Sequence, residues 1–308
     1  MQKNSLYALL VFVVLLLSIS IMPFARSQST ANSININADG SIEPQTAPIQ
    51  RNGDIYTLVG NISGGIAVYK SNIVIDGAGY ALNGDGGTGI DLTGNLTEYP
   101  SPNEVRNVTI KNLGIINFNY SINARGSSQN SFYNDYIANT TNGFQGSILL
   151  YWNSGGNNIT HCTIVGNPYA IAIELSSSNI ITENNLFGGI LLQLNNNETV
   201  DRNYWSDYLT RYPNATEIDS SGVGNTAYSL EIYANGEVAG TLQDNHPFMS
   251  PVTDSNFPAI SPTPSVPEFS WLTTLPLLLA FPVVIAVIRK RVSSHPNKYR
   301  NLRSFKKN

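Results

Sequence analysis

The sequence predicts an all-β fold, a single-stranded parallel β-helix, followed by a C-terminal transmembrane helix. A spacing, its recurrence and one apolar run carry the prediction. In SNIITENNLFGGILLQL, from Ser178 to Leu194, Asn179, Ile181, Asn184 and Leu186 lie two, three and two residues apart, and Ile190 and Leu192 resume the stride of two. A stride of two is strand alternation and a stride of three inserts one residue, so the chain turns a corner between two short strands. The same pattern recurs along the chain, as it does in solenoids. One inward column is Ile75, Ile110, Phe132, Ile159, Ile181 and Val200, with successive members 35, 22, 27, 22 and 19 residues apart. These are single coils with insertions at corners, the longest between Gly84 and Glu104.

Three further columns follow the first. Ala78, Leu113, Asp135, Cys162, Asn184 and Asn203 occupy the corner, and Tyr80, Ile115, Ile137, Ile164, Leu186 and Trp205 fill the next strand. Ile90, Ile122, Ile148, Ile171 and Ile190 come after a further turn. Equivalent strands of adjacent coils pair at about 4.8 Å, so identical residues stack, and stacked asparagines bond to one another and to turn backbone. Asn184 and Asn203 are therefore expected in a corner ladder, with Ile181 and Leu186 inside. Asp135 is the odd member, for the alignment buries it above Cys162. Either it serves turn backbone groups, or the register is one residue off there.

Both ends are apolar. Lys3, the run Leu6 to Met22 and the small-residue site Ala25-Arg26-Ser27 mark residues 1–27 as a signal peptide. Residues 253–269, which include FPAISPTPSVPEF, form a Pro/Ser/Thr linker of extended character. Ser270 to Ile288 is uncharged and just long enough to span a bilayer, with Pro276 and Pro282 inside it. Residues 289–308 carry eight basic and no acidic residues, which places this tail in the cytoplasm and the remainder outside. Residues 28–288 hold all 21 acids and only 7 bases, a net charge of −14. That balance excludes a basic nucleic-acid binder. The single cysteine, Cys162, excludes an internal disulfide or a cysteine zinc cluster.

The segments Ile36 to Gly84 and Asn203 to Ile232, with the Asn-rich coils between them, resemble archaeal surface proteins with NosD-like right-handed β-helix repeats. The resemblance implies a right-handed coil over residues 70–209, an N-terminal cap region over 28–69 and a C-terminal cap over 210–252. The closing cap begins at NYWSDY, where Tyr204, Trp205 and Tyr208 are bulky enough to seal an open coil end. VPEFSWLTTLPLLL followed by RKR is similar to the PEF-type C-terminal sorting signal of such proteins, which implies processing by a membrane transpeptidase-like enzyme. The longer tail here favours a retained span.

Many right-handed β-helices are polysaccharide lyases or hydrolases, and such catalysis needs paired carboxylates or a base with carboxylate-held Ca²⁺ on one face. The outward ladders Lys111, Tyr133, Thr160, Thr182, Asp201 and Asn112, Asn134, His161, Glu183, Arg202 bring no carboxylate pair to adjacent rungs. The nearest catalytic constellation is His161, Glu183 and Arg202, with ordinary ion pairing on a solvated face as the competing reading. A further outward row, Arg125, Tyr151, Glu174 and Gln193, sets arginine, aromatic, carboxylate and amide on successive rungs, a ligand-binding candidate for sugar. The family's copper association calls for His, Cys and Met clusters. His161 and Cys162 are strand neighbours facing opposite ways and His246 and Met249 are distant, so no metal site and no cofactor is expected. The expected function is a non-catalytic, membrane-anchored surface protein displaying a face to surface glycans or neighbouring surface proteins. An exported carbohydrate-active enzyme is the alternative, and a copper-related accessory protein is a weaker one.

Overall fold

The computed structural model describes residues 33–94, 104–141, 145–194 and 197–252, all within one compact unit. They form a parallel β-solenoid of about six turns. One face stacks Ile73–Asp76, Val108–Lys111, Ser131–Tyr133, Asn158–Thr160, Ile180–Thr182 and Thr199–Asp201. Its inward column pairs Ile75, Ile110, Phe132, Ile159, Ile181 and Val200 residue for residue, as the spacing predicts. Tyr56 extends the column by one coil toward the N-terminus. Every member is buried. The second face stacks Ile115, Ile137, Ile164, Leu186 and Trp205, and the third stacks Ile90, Ile122, Ile148, Ile171 and Ile190. Thr163–Glu174 and Asn185–Gln193 run continuously from the second face into the third, with register shifts between Val165 and Ile171. These long strands fuse the two faces into one 15-stranded sheet, while the first face remains a separate sheet of 8 strands.

The register fails at one place, the first coil. Leu82, not Tyr80, pairs with Ile115, while Tyr80 is 38% exposed and Ala78 also faces solvent. The corner there is longer than in later coils: the Ala78 amide bonds to Asp76 Oδ1 at 2.9 Å and the Tyr80 amide to Gly77 O at 2.8 Å. Gly77 takes the tight place beside the next coil, where a Cβ would collide with the backbone of Asn112 and Leu113. Two extra residues therefore pass before the strand resumes.

Two polar ladders line the corners flanking the first face. In one, the Leu113 amide bonds to Asp135 Oδ1 (3.0 Å), the Cys162 amide to Asn184 Oδ1 (2.9 Å), and Asn184 Nδ2 to Asn203 Oδ1 (3.0 Å). The ladder ends on Asp244, which accepts from the amides of Arg202 and Asn203 and from Trp205 Nε1, each at 2.9 Å. In the other, Asn130 Nδ2 donates to Asn157 Oδ1 (2.9 Å) and Asn157 Nδ2 to Asn179 Oδ1 (3.0 Å). This second ladder ends on Glu198, whose Oε2 accepts the Asn179 amide at 2.7 Å. These bonds satisfy backbone groups that the corner removes from the sheet ladder. Asp135 is thus buried in register and accepts from turn backbone, and burial pushes its carboxyl well above the usual carboxylate range.

Parallel stacking begins ahead of Lys70, where Ile34–Ile36 pairs with Ile66–Val68. The antiparallel hairpin Ile49–Asn52 and Ile55–Leu58 covers the start of the first face. At the other end the Trp205 ring stacks on Tyr228 with centroids 4.1 Å apart and planes 5° from parallel. The short helix Tyr208–Arg211 and the hairpin Tyr228–Ala234 and Glu237–Asp244 close that end. Trp205 and Tyr208 are buried, while Tyr204 is half-buried against the edge of Phe187. The expected signal peptide (1–27) and the linker, span and basic tail (253–308) lie outside the described residues. Among the described residues, no helix is long and apolar enough to cross a membrane.

Candidate functional site

The corner after the first face forces one residue per coil into the left-handed region. Asn112, Asn134, His161, Glu183 and Arg202 occupy it with φ of 52°, 51°, 57°, 58° and 59°. Asparagine tolerates that conformation, and its amides chain outward: Asn134 Nδ2 donates to Asn112 Oδ1 at 2.8 Å. The last three coils replace asparagine with ionisable groups. His161 Nε2 lies 3.2 Å from Glu183 Oε2, and Arg202 Nε lies 3.8 Å from Glu183 Oε1. The three residues singled out by sequence are therefore adjacent in space. His161 Nδ1 lies 3.0 Å from Thr160 Oγ1, so both ring nitrogens are engaged. His246, which sequence reasoning left out of the cluster, bonds through Nδ1 to Asp201 Oδ1 at 2.9 Å. Each carboxylate in this group is tied to a cation or an imidazole, and the pairs are partly solvated. Such pairs contribute at most about 1 kcal/mol each.

Among the described residues, no group of three or more His, Cys, Asp and Glu side chains is placed to hold a metal ion. Cys162 is buried with its thiol directed to Phe132 O (3.4 Å), and burial pushes its pKa well above the ordinary thiol value. His161 faces the opposite way, toward Glu183.

The second candidate row lies where the third face ends. Tyr151 pairs with Glu174 and Glu174 with Gln193, and Arg125 precedes Gly126, whose amide bonds to Tyr151 O at 2.9 Å. Arg125, Tyr151, Glu174 and Gln193 thus form one outward row on four successive coils. Tyr233 of the C-terminal hairpin continues it by pairing with Gln193. The Arg125 guanidinium lies over the Tyr151 ring at 5.2 Å and over the Trp152 ring at 4.8 Å, and those two rings stack at 5.7 Å.

Trp152, Leu175 and Leu194 each follow a member of the row and occupy the next left-handed corner, with φ of 55°, 53° and 52°. Equivalent corners elsewhere carry asparagine, as at Asn117 and Asn139. Here the side chains are large and apolar, and they are 38%, 38% and 47% exposed. A groove of about 300 Å³ opens beside them, lined by Asn153, Gly155, Leu175, Ser176, Ser177 and Leu194. Sequence reasoning missed this ridge, whose members stand one residue after Tyr151, Glu174 and Gln193. Tyr233 carried no periodic signal, because the hairpin interrupts the coil pattern.

The solenoid thus presents an arginine over two stacked rings, and a groove lined by serine, asparagine, glycine and leucine. Comparison with family models, characterised proteins and solved structures gives no match for this chain.

Proposed function

We propose that this chain is a surface protein, exported by residues 1–27 and held in the membrane by residues 270–288, whose solenoid binds glycan without chemically altering it. The likeness to archaeal NosD-like surface proteins and their right-handed coils supports that setting, as do the basic tail and the acidic exported portion. The binding row is Arg125, Tyr151, Glu174 and Gln193, with Trp152 beside it. One observation carries the reading: Arg125 lies over two stacked rings, and Asn153, the residue after Trp152, lines a groove together with Leu175, Leu194 and two serines. Flat ring faces stack on pyranose C–H surfaces, and the arginine, carboxylate and amide of the row hydrogen-bond hydroxyls.

The test is binding of an oligosaccharide panel to the full-length protein by calorimetry, with product analysis of the same mixtures. The expected result is saturable binding, lost in Trp152→Ala, with the sugars recovered intact. Release of unsaturated or reducing sugar that disappears in Glu183→Gln would replace this reading with the carbohydrate-active enzyme.

A further inference from the structure

The chain leaves the C-terminal cap along the outside of the second face. Phe248 accompanies the sixth coil, where its amide bonds to Asn203 O at 2.9 Å and its backbone bridges to Tyr204. Val252 reaches the fifth coil at Asn185. There Asn185 Oδ1 accepts the Val252 amide at 2.7 Å, and Asn185 Nδ2 donates to Val252 O at 2.9 Å. A primary amide that meets both backbone groups of one residue does what a neighbouring strand would do. Asn185 Nδ2 also donates to Thr163 Oγ1 at 3.1 Å, so the clamp is braced from the fourth coil. Between Phe248 and Val252 the backbone thus moves one coil toward the N-terminus, and its course points at the fourth and third coils.

Outward positions on that course are apolar. Ile116 pairs with Ala138 and Val165 with Phe187, while Tyr136 stands in the neighbouring row opposite Thr163. Outward positions of the first face are mainly threonine, serine, asparagine and lysine, such as Thr109, Lys111, Ser131 and Asn158. A contiguous apolar row on an outer face marks a surface that something else covers. Ala138 is its small member, with branched Ile116 on one side and Val165 on the other, so the row dips at the third coil. Residues 253–258 read Thr-Asp-Ser-Asn-Phe-Pro, in which Phe257 is the one large apolar side chain. Five extended residues span at most about 17 Å, and two coils take about 10 Å. Phe257 therefore reaches the level of Ala138 from the Asn185 clamp with slack.

We propose that residues 253–258 continue along the second face as a docked arm, with the Phe257 ring seated over Ala138 between Ile116 and Val165. The tail then departs from the flank of the solenoid rather than from its capped end, and the second face is closed to other ligands. The binding row lies on the third face, so the arm and a glycan do not compete.

Disulfide trapping tests the docking in the full-length protein, whose single native thiol, Cys162, is buried. A disulfide requires Cα atoms within about 7 Å of each other. Asn256→Cys combined with Tyr136→Cys should cross-link on mild oxidation with diamide, whereas Asn256→Cys combined with Ser131→Cys, on the first face of the same coil, should not. Burying one phenylalanine side chain shifts a docked fraction by at least about tenfold, so Phe257→Asp should slow the Tyr136→Cys cross-link by at least that factor. In the otherwise native chain, Phe257→Asp should raise hydroxyl-radical oxidation of Tyr136 and Phe187 and leave that of Tyr133, on the first face, unchanged. Cross-linking to neither face, or equally to both, would overturn the docking. So would a Tyr136→Cys cross-link that Phe257→Asp does not slow, or unchanged oxidation of Tyr136 and Phe187. None of these outcomes touches glycan binding, which concerns the third face.

Discussion

Asn184→Leu removes an amide from the middle of the inner ladder and puts an apolar group of similar size in its place. Asn184 is fully buried, and its side chain makes three bonds: Oδ1 accepts the Cys162 amide at 2.9 Å, and Nδ2 donates to Ile159 O at 2.9 Å and to Asn203 Oδ1 at 3.0 Å. The leucine variant strands the Cys162 N–H and the Ile159 carbonyl away from water, at about 1–3 kcal/mol each. Extra apolar burial offsets about 1–2 kcal/mol of that. The net loss is centred on about 2.5 kcal/mol, and Asn184→Ala, which gains no such offset, should lose more. A stack of coils need not unfold as one unit, so urea unfolding should be accompanied by amide hydrogen exchange. The Cys162 amide should lose protection in Asn184→Leu, while the Val108 amide, held by Asn130 in the other ladder, should keep it. A loss below about 1 kcal/mol with Cys162 still protected would refute the ladder as a source of stability.

Two other measurements probe the fold. Ile181→Asp puts a carboxylate into the buried column and should cost several kcal/mol, whereas Thr182→Asp, on the outward face of the same strand, should stay within about half a kcal/mol in urea unfolding. The opposite ranking would mean that the faces are exchanged. Burial raises the Glu198 carboxyl to about 7 from an unfolded value of 4.5, so the folded state holds a proton that the unfolded state releases between those values. Stability from this group is therefore fully present below pH 4.5 and declines as pH rises toward 7. Glu198→Gln keeps the acceptor for the Asn179 amide and should melt higher at pH 8, by an amount that shrinks toward zero at pH 4.5. Parallel melting curves at both pH values would contradict the assignment.

The columns were legible because each coil repeats one physical demand: an apolar side chain at every inward position and one polar side chain at the corner. Ile75 to Val200 stand in register across six coils, and Cys162 and Asn184 fall where the stride of three puts them. The stride was misleading at Ala78 and Tyr80, because nothing in a count of apolar residues reveals that the Asp76–Gly79 corner is two residues longer. The members of each candidate group are neighbours in space, since register fixes neighbours on either side of the sheet. Their completion was not legible. Asp244, His246 and Tyr233 arrive from an antiparallel hairpin some 40 residues downstream of the coils they touch, where the repeat has ended. Left-handed corners were equally hidden, for only backbone geometry shows that Trp152, Leu175 and Leu194 share the conformation that asparagine occupies elsewhere.

Chemical direction in the two ladders has a consequence for how such a chain can change length. A primary amide donates and accepts at once, so Asn157 passes the pattern from Asn130 to Asn179 and presents the same face to both neighbours. Asp244, and Glu198 once it has lost its proton above about pH 7, can only accept, and the relay stops there. A coil duplicated between Asn157 and Asn179 would meet amide chemistry above and below it, whereas one added beyond Glu198 or Asp244 would find no donor to continue from. The solenoid is therefore extensible in its middle and terminated at its C-terminal end, with its length punctuated by two acidic side chains.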